Sequence, residues 1–296
     1  MQEPTHRGTL LGNILVASAG DQSSLGAIQI AVALARRQHA SVHVLTVAAP
    51  FPHALPSGLQ IAPPAEIDHV NQRAAIESVR RQLATIRGTA DWTIRAAIGW
   101  PADAILLAAH RWPASLIVMG LGTHGLADRL IGSETAIAVA KRSTVPVLAV
   151  PKDGPPTLQS ATVAIDFSQS SIDAAMLAAQ IIPRVGTLAL VHASPLIKPA
   201  SSPGSLPDLY TIGASDKLEV IRKQVRAATG RRVVSAMVSD DVVDGLLSYV
   251  DEQHSALLAI GGHDQGVVDR FLLGSVRGRV LRHAKCAVLI APHAAG

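Results

Sequence analysis

Apolar residues follow two alternating patterns along the chain. Short continuous runs, such as residues 13–18 and 115–120, predict buried strands, and longer segments with apolar positions three or four residues apart, such as residues 23–38, predict helices. Strands and helices alternate throughout. This alternation predicts an α/β fold in which parallel strands are joined by right-handed crossovers and helices cover both faces of the sheet.

The order of predicted elements occurs twice. Residues 1–151 form one copy, residues 161–296 form the second, and residues 152–160, rich in glycine and proline, form the linker. We therefore predict two tandem doubly wound domains, each with a mainly parallel, five-stranded sheet. Ligands of such folds bind beyond the carboxyl ends of the strands, at the point where the strand order reverses.

A Gly-Ser pair precedes the last predicted helix of each copy, Gly132-Ser133 in the first and Gly274-Ser275 in the second. We expect these helices to begin at the pair. Such a helix start would present unpaired N–H groups and the positive end of the helix dipole, while glycine admits a phosphate and serine adds a donor. The pairs therefore predict an anion site; the alternative is that they only cap the helix.

The loops before these pairs have a characteristic glycine spacing. They read "MGLGTHGLADRLIGS" at 119–133 and "GGHDQGVVDRFLLGS" at 261–275. With them, the chain resembles the universal stress protein family, specifically its tandem members, from about residue 10 to residue 292. The resemblance implies a Rossmann-like fold of the adenine nucleotide alpha hydrolase type. It also implies that the two closing strands pair antiparallel, forming an intramolecular pseudo-dimer.

Each half matches only part of the motif of the family's nucleotide-binding branch, which is G-x2-G-x9-G-[ST] after a strand that ends in Asp. The first half has the glycine loop, but Ala19 stands in place of the Asp and Glu134 adds negative charge after the serine. In the second half, Asp166 ends the strand and Arg277 offers positive charge, but Asp264 replaces a loop glycine. A carboxylate facing phosphate oxygens is unfavourable unless it turns outward or holds a metal.

The resemblance also implies roles for single residues. The Asp contacts the nucleoside, the glycine loop and serine bind phosphate, and a backbone group after the second strand contacts adenine. The implied nucleotide-binding residues are Val47, Gly120, Gly122, Gly125, Gly132 and Ser133 in the first half, and Asp166, Ala193, Gly261, Gly262, Gly274, Ser275 and Arg277 in the second. We predict no catalytic residues and no protein ligands to a metal.

Other candidate chemistry is weaker. "SAGDQSS" at 18–24 is similar to the SGGxDS pyrophosphate loop of enzymes that share this fold and cleave ATP between its α and β phosphates, but Ala19 and Gln22 depart from that pattern. His124 and His263 lie in the glycine loops, where we expect ordinary exposed histidines. The histidines show no spacing typical of a zinc site.

Composition changes this picture little. The net charge of +4 over 296 residues and the aromatic content of 3% argue against a nucleic-acid partner. No apolar run reaches membrane length, and the single cysteine, Cys286, fits core packing in a reducing compartment. We therefore expect a cytoplasmic protein that does not bind membranes.

Together these features predict a stress-response protein that binds ATP, ADP or AMP, with or without Mg²⁺, in at least one half. We expect it to act as a nucleotide-dependent sensor or regulator, with slow ATP hydrolysis at most. The alternative is a nucleotide-free module that presents its surface to a protein partner. The sequence leaves open which half binds nucleotide and whether two chains associate further.

Overall fold

The computed structural model describes residues 11–48, 64–121, 125–194, 206–262 and 276–292. The chain divides into two compact units, Met1–Val145 and Pro146–Gly296. Each is an α/β unit in which helices follow strands along the chain, as predicted.

The first unit contains, within the described ranges, four parallel strands and four α-helices. The strands are β1 (Asn13–Ala17), β2 (Ser41–Ala48), β3 (Thr93–Ile98) and β4 (Leu116–Leu121), and the helices are α1 (Leu25–Gln38), α2 (Pro64–Ala84), α3 (Pro101–Arg111) and α4 (Gly125–Arg142). A 3-10 turn at Gln22–Ser24 leads into α1. The strand order is β3-β2-β1-β4, so the order reverses between β1 and β4.

The second unit contains six strands and four α-helices among its described residues. The strands are β5 (Val147–Pro151), β6 (Ser160–Ala164), β7 (Thr187–Ala193), β8 (Val233–Val238), β9 (Leu257–Ile260) and β10 (Ala287–Ile290), and the helices are α5 (Gln169–Ile181), α6 (Leu206–Thr229), α7 (Val242–Glu252) and α8 (Val276–His283). The order is β5-β10-β9-β6-β7-β8, with the reversal between β6 and β9.

Consecutive residues of the central strands are buried. Ile14, Leu15 and Val16 of β1 expose 0%, 1% and 0% of their surface. Because successive side chains of a strand point to opposite faces, this burial requires cover on both faces of the sheet. The continuous apolar runs of the sequence are therefore explained by the doubly wound architecture, which is confirmed.

The predicted antiparallel pairing of the closing strands is also confirmed. β5 pairs with β10, and Leu148 lies opposite Leu289, both with 0% exposure. β5 comes from the first sequence repeat but lies in the second compact unit. The pairing covers a strand edge that is apolar over its whole length and would favour aggregation if it were open.

Two further features concern the second unit. The helix predicted from about residue 212 begins earlier, at Leu206, because Pro207 in the first turn needs no N–H partner and is compatible with a helix start.

Cys286 is buried, and this burial raises the pKa of its thiol to about 12, so the thiol stays protonated and packs as a small apolar group.

Across the described parts of the chain, every helix is too short or too polar to cross a membrane.

Substitution of Leu148 tests the pairing of β5 with β10. We expect Leu148→Ala to lower the free energy of unfolding of the second unit by about 2–5 kcal/mol, since it removes buried methyl groups and leaves a cavity. Urea denaturation measures the change. Val185→Ala is the control, because Val185 is 91% exposed and its truncation should change stability by less than about 0.5 kcal/mol. Equal effects of the two substitutions would contradict the packing described here.

Candidate functional site

A small cavity lies at the carboxyl ends of the first unit's strands, where the strand order reverses. Its volume is about 200 Å³. Val47 and Gly120, both predicted site residues, line it. The other lining residues are small, apolar or hydroxylated: Ala17, Ser18, Ala19, Ser23, Ser24, Leu45, Pro101, Ile105, Met119 and Thr135. No charged side chain is among the described residues that line this cavity.

Backbone amides in the loop after β1 are already hydrogen-bonded by neighbouring side chains. The bonds run from Ala19 N to Ser24 Oγ (3.0 Å), from Gly20 N to Ser18 Oγ (3.0 Å) and from Ser23 N to Asp21 Oδ1 (2.9 Å). A loop that cradles phosphate does so with N–H groups that point freely at the ligand. The similarity of this loop to a pyrophosphate loop therefore does not extend to its geometry.

Gly120 and Gly261 lie where the end of a strand touches the start of a helix. A Cβ on Gly120 would stand 2.4 Å from the carbonyl oxygen of Ser23, and a Cβ on Gly261 would stand 2.8 Å from the carbonyl carbon of Ser170. Gly262 is also confined, because its Cβ would stand 2.5 Å from backbone atoms of Pro292. Each glycine is thus required by packing within the chain; phosphate binding at these positions stays a prediction.

The helix start expected at Gly132-Ser133 is wrong. α4 begins at Gly125 and already contains both residues. The intervening sequence, "LADRLI", has strong helix formers and no proline, so the helix continues through the glycine at a cost of about 1 kcal/mol. Only the first four amides of a helix lack partners, so those of Gly132 and Ser133 lie too deep in α4 to bind an anion. Ser133 is buried, with 6% exposure.

Several predicted residues lie outside the described residues: Gly122, His124, His263, Asp264, Gly274 and Ser275. Arg277 is the second residue of α8. Val47 is the last residue but one of β2, and Ala193 is the last residue of β7. Both therefore lie at the strand ends where the ligand was expected. Their contact with adenine stays a prediction.

Asp166 lies just beyond the carboxyl end of β6 and is exposed. Its Oδ1 accepts hydrogen bonds from the amide of Ser168 at 2.9 Å and from the Ser168 hydroxyl at 2.5 Å. Partial desolvation raises the pKa of Asp166, but the hydrogen bonds from Ser168 and Ser171 outweigh it, so the pKa lies below its ordinary value. Asp166 is therefore ionised at neutral pH and fixed in direction.

An aromatic cluster next to Asp166 could not be found from sequence patterns. Phe167 has φ of 67°, and its ring centroid lies 4.4 Å from that of His192. His192 Nδ1 lies 2.7 Å from the carbonyl oxygen of Ile165, and Nε2 lies 2.8 Å from the hydroxyl of Tyr210. Since a carbonyl only accepts, Nδ1 of His192 carries the proton and, in the neutral ring, Nε2 accepts from Tyr210.

This cluster connects α6 to the strand edge. Tyr210 lies on α6, and Lys217 of the same helix places its Nζ 5.9 Å from the Phe167 ring centroid. The corresponding loop of the first unit has Gly20, with φ of 76°, directly after Ala19. A positive φ is natural for glycine and strained for phenylalanine, so Phe167 is held there by its contacts.

Among the described residues, no group of three or more His, Cys, Asp or Glu side chains could hold a metal ion.

The glycine at position 120 yields a test of the strand–helix contact. We expect Gly120→Ala to destabilise the first unit by about 1–3 kcal/mol, since the added carbon meets backbone that cannot move away easily. Gly213→Ala is the matched control: nothing lies within 4 Å of its Cβ position, and alanine should stabilise the helix by up to about 1 kcal/mol. Thermal denaturation measures both. Destabilisation by both variants alike would show that close approach is not the cause.

The lowered pKa of Asp166 also predicts a pH dependence. Because its pKa in the folded protein is below the ordinary value of 3.8, ionised Asp166 stabilises the fold above that pH, and its contribution is lost as the pH falls through the lowered pKa. We expect Ser168→Ala to raise the pKa of Asp166 and to weaken this acid dependence. NMR titration of the carboxyl carbon measures the pKa, with Ser235→Ala as the control; an unchanged pKa in Ser168→Ala would refute the assignment.

Known proteins resemble this chain over nearly its whole length. A model of the universal stress protein family matches residues 11–151 and 158–292. A universal stress protein from Archaeoglobus fulgidus DSM 4304 is 18% identical, with 97% of this chain and 99% of that chain covered and a TM-score of 0.64. The functionally unknown protein PA1789 from Pseudomonas aeruginosa PAO1 is 15% identical, with 96% and 94% covered and a TM-score of 0.60. At these identities the likeness shows the fold alone.

A universal stress protein in complex with cAMP is 26% identical over 48% of this chain and 98% of that chain. Its TM-score of 0.33 is too low to support an inference about this chain. No curated protein is similar enough in sequence to count as a match. Because the family model matches both halves of the sequence, the chain belongs to the universal stress protein family and carries two of its domains in tandem.

Proposed function

We propose that this protein binds an adenine nucleotide in its second unit and acts as a nucleotide-dependent regulator. The observation that carries the proposal is Asp166: an ionised, exposed carboxylate next to the end of β6, at the point where the strand order reverses. In the family motif this position contacts the nucleoside.

The geometry of Asp166 suits recognition of a sugar. A carboxylate accepts hydrogen bonds from vicinal hydroxyl groups, and bonds to a charged acceptor are roughly twice as strong as neutral ones. Ser168 holds Oδ1, so the carboxylate is oriented before a ligand arrives. Preorganisation lowers the entropic cost of binding.

The first unit is unsuited to the same ligand. Its cavity of about 200 Å³ is smaller than the roughly 300–1,000 Å³ of ordinary small-molecule sites. Ala19 replaces the carboxylate, and the described residues that line the cavity include no charged side chain. We therefore propose one nucleotide per chain, bound by the second unit.

The second unit is better suited to signalling by the presence or absence of bound nucleotide than to rapid hydrolysis of ATP. The ring of His192 packs against Phe167, the residue after Asp166. Both of its nitrogens are hydrogen-bonded, so His192 is not available to activate water. Slow hydrolysis at most is consistent with this arrangement.

The second candidate is a nucleotide-free module that binds a protein partner. One observation favours it: side chains cap the backbone amides in the loops after both β1 and β6. In the second unit, Ser168 N bonds to Asp166 Oδ1 and Ser171 N bonds to Ser168 Oγ at 3.3 Å. Neither loop offers these amides to a phosphate.

Asp166→Asn tests the nucleotide proposal. Asparagine keeps the shape and can still accept from Ser168, but it removes the charge and one of the two acceptor oxygens. We expect the dissociation constant for ATP, measured by calorimetry, to rise about 10- to 150-fold, which corresponds to the roughly 1.5–3 kcal/mol of a hydrogen bond to a charged group.

Asp153→Asn is the matched control, because Asp153 is an exposed turn residue of the same charge, and it should leave ATP binding unchanged. Mass spectrometry of ligand released from freshly purified, denatured protein identifies the nucleotide. If the intact protein releases no nucleotide and shows no thermal shift with ATP, ADP or AMP, the nucleotide proposal fails and the interaction module takes its place.

A further inference from the structure

Besides the cavity of the first unit, the structure has a concave surface on the second unit, at the amino ends of its strands. It is an open groove of about 720 Å³ where the end of α6 meets the start of β8. Asp166 lies at the carboxyl ends of the strands, whereas this groove lies at their amino ends. The groove is therefore separate from the proposed nucleotide site.

Positive charge dominates the groove. Five of its eight lining residues are basic: Arg222, Lys223, Arg226, Arg231 and Arg232. The remaining three, Ala227, Gly230 and Val233, are small or apolar. Glu219 is the acidic neighbour, at 2.6 Å from Arg222 Nε and 3.7 Å from Lys223 Nζ. Five basic side chains and no acidic one are among the described residues that line the groove, so its lining is positively charged.

Two of the arginines are held in place by the chain itself. Arg231 donates to the carbonyl oxygens of Ile182, at 3.0 Å, and Pro183. Arg222 binds Glu219 through two nitrogens at 2.6 Å and reaches the carbonyl of Val233 at 3.3 Å. These contacts hold the side chains of Arg222 and Arg231 along one wall of the groove.

The other basic side chains are available to a ligand. Lys223, Arg226 and Arg232 are exposed, and within the described ranges no hydrogen bond or ion pair engages the side chain of Arg226 or of Arg232. Unpaired guanidinium groups around one concave surface raise its positive potential. The carbonyl end of α6 opposes this potential with only about half a charge.

The shared fold does not require this charge. In the first unit, Asp91 and Trp92 precede β3, where Arg231 and Arg232 precede β8 in the second. The two equivalent turns thus differ in charge: the first carries one acidic residue, and the second carries two basic residues that line the groove.

The chemistry points to a compact, multiply charged phosphate chain. Guanidinium groups bind phosphate oxygens bidentately. The volume lies within the range of small-molecule sites. No aromatic side chain is among the described residues that line the groove, and proteins use aromatic side chains to stack the bases of single-stranded nucleic acids. We propose that this basic groove is a binding site for oligophosphate, formed by Arg226, Arg232 and Lys223 against the wall of Arg222 and Arg231.

Calorimetry of the full chain with inorganic tripolyphosphate at low ionic strength tests the proposal. We expect saturable binding that weakens as salt is added, and a dissociation constant about tenfold higher in the double variant Arg226→Gln/Arg232→Gln. These side chains are exposed, so the variant keeps the fold, which circular dichroism checks.

The control is the double variant Arg80→Gln/Arg81→Gln on α2, which removes the same charge from an exposed helix of the first unit and should leave affinity unchanged. Tripolyphosphate bound at the nucleotide site would be unaffected by Arg226→Gln/Arg232→Gln, so the loss of affinity in that variant separates the groove from the nucleotide site. Absence of binding, equal losses in both double variants, or tighter binding of oligothymidylate than of a phosphate chain of equal charge would overturn the proposal.

Discussion

Burial of both faces of the central strands is the constraint on which the rest of this structure depends. Three consecutive residues of β1 are almost fully buried, and so are those of β5 and β10. Such strands need helices on both sides, and helices on both sides need crossovers that place the strands parallel. The carboxyl ends then share one edge, and the reversal of strand order opens a cleft there. The position of the candidate site is thus a consequence of core packing.

The two units meet this constraint in the same way and differ in the chemistry they place on it. At the end of the first strand, Ala19 and Gly20 in one unit correspond to Asp166 and Phe167 in the other. The turn before the third strand carries Asp91 and Trp92 in one unit and an arginine pair in the other. The first unit keeps an uncharged cavity, and the second unit carries both the exposed carboxylate and the basic groove.

Gly120, in β4, and Gly261, directly after β9, match a phosphate-binding spacing but are required by packing. A larger residue at either position would collide with the backbone of the 3-10 turn before α1 or with that of α5. A spacing that resembles a phosphate-binding pattern therefore has a sufficient cause inside the protein. Asp166 accepts hydrogen bonds from Ser168 and Ser171 but is exposed, so core packing does not account for it, and it supports the nucleotide proposal more directly than the glycines do.

The sequence by itself determined the α/β class, the duplication and the strand runs, because these follow from local periodicity and from its repetition. The pairing of the closing strands and the choice of Asp166 as a candidate site residue came from the resemblance to the family and its motif. Helix propensity decided where α4 begins. The strong helix formers before Gly132 extend the helix to Gly125, although the Gly-Ser pair by itself predicts a helix start. Only the tertiary structure brought Tyr210 to His192, and the α6 arginines to those before β8, because these residues are separated in the chain and meet only when the helices pack on the sheet.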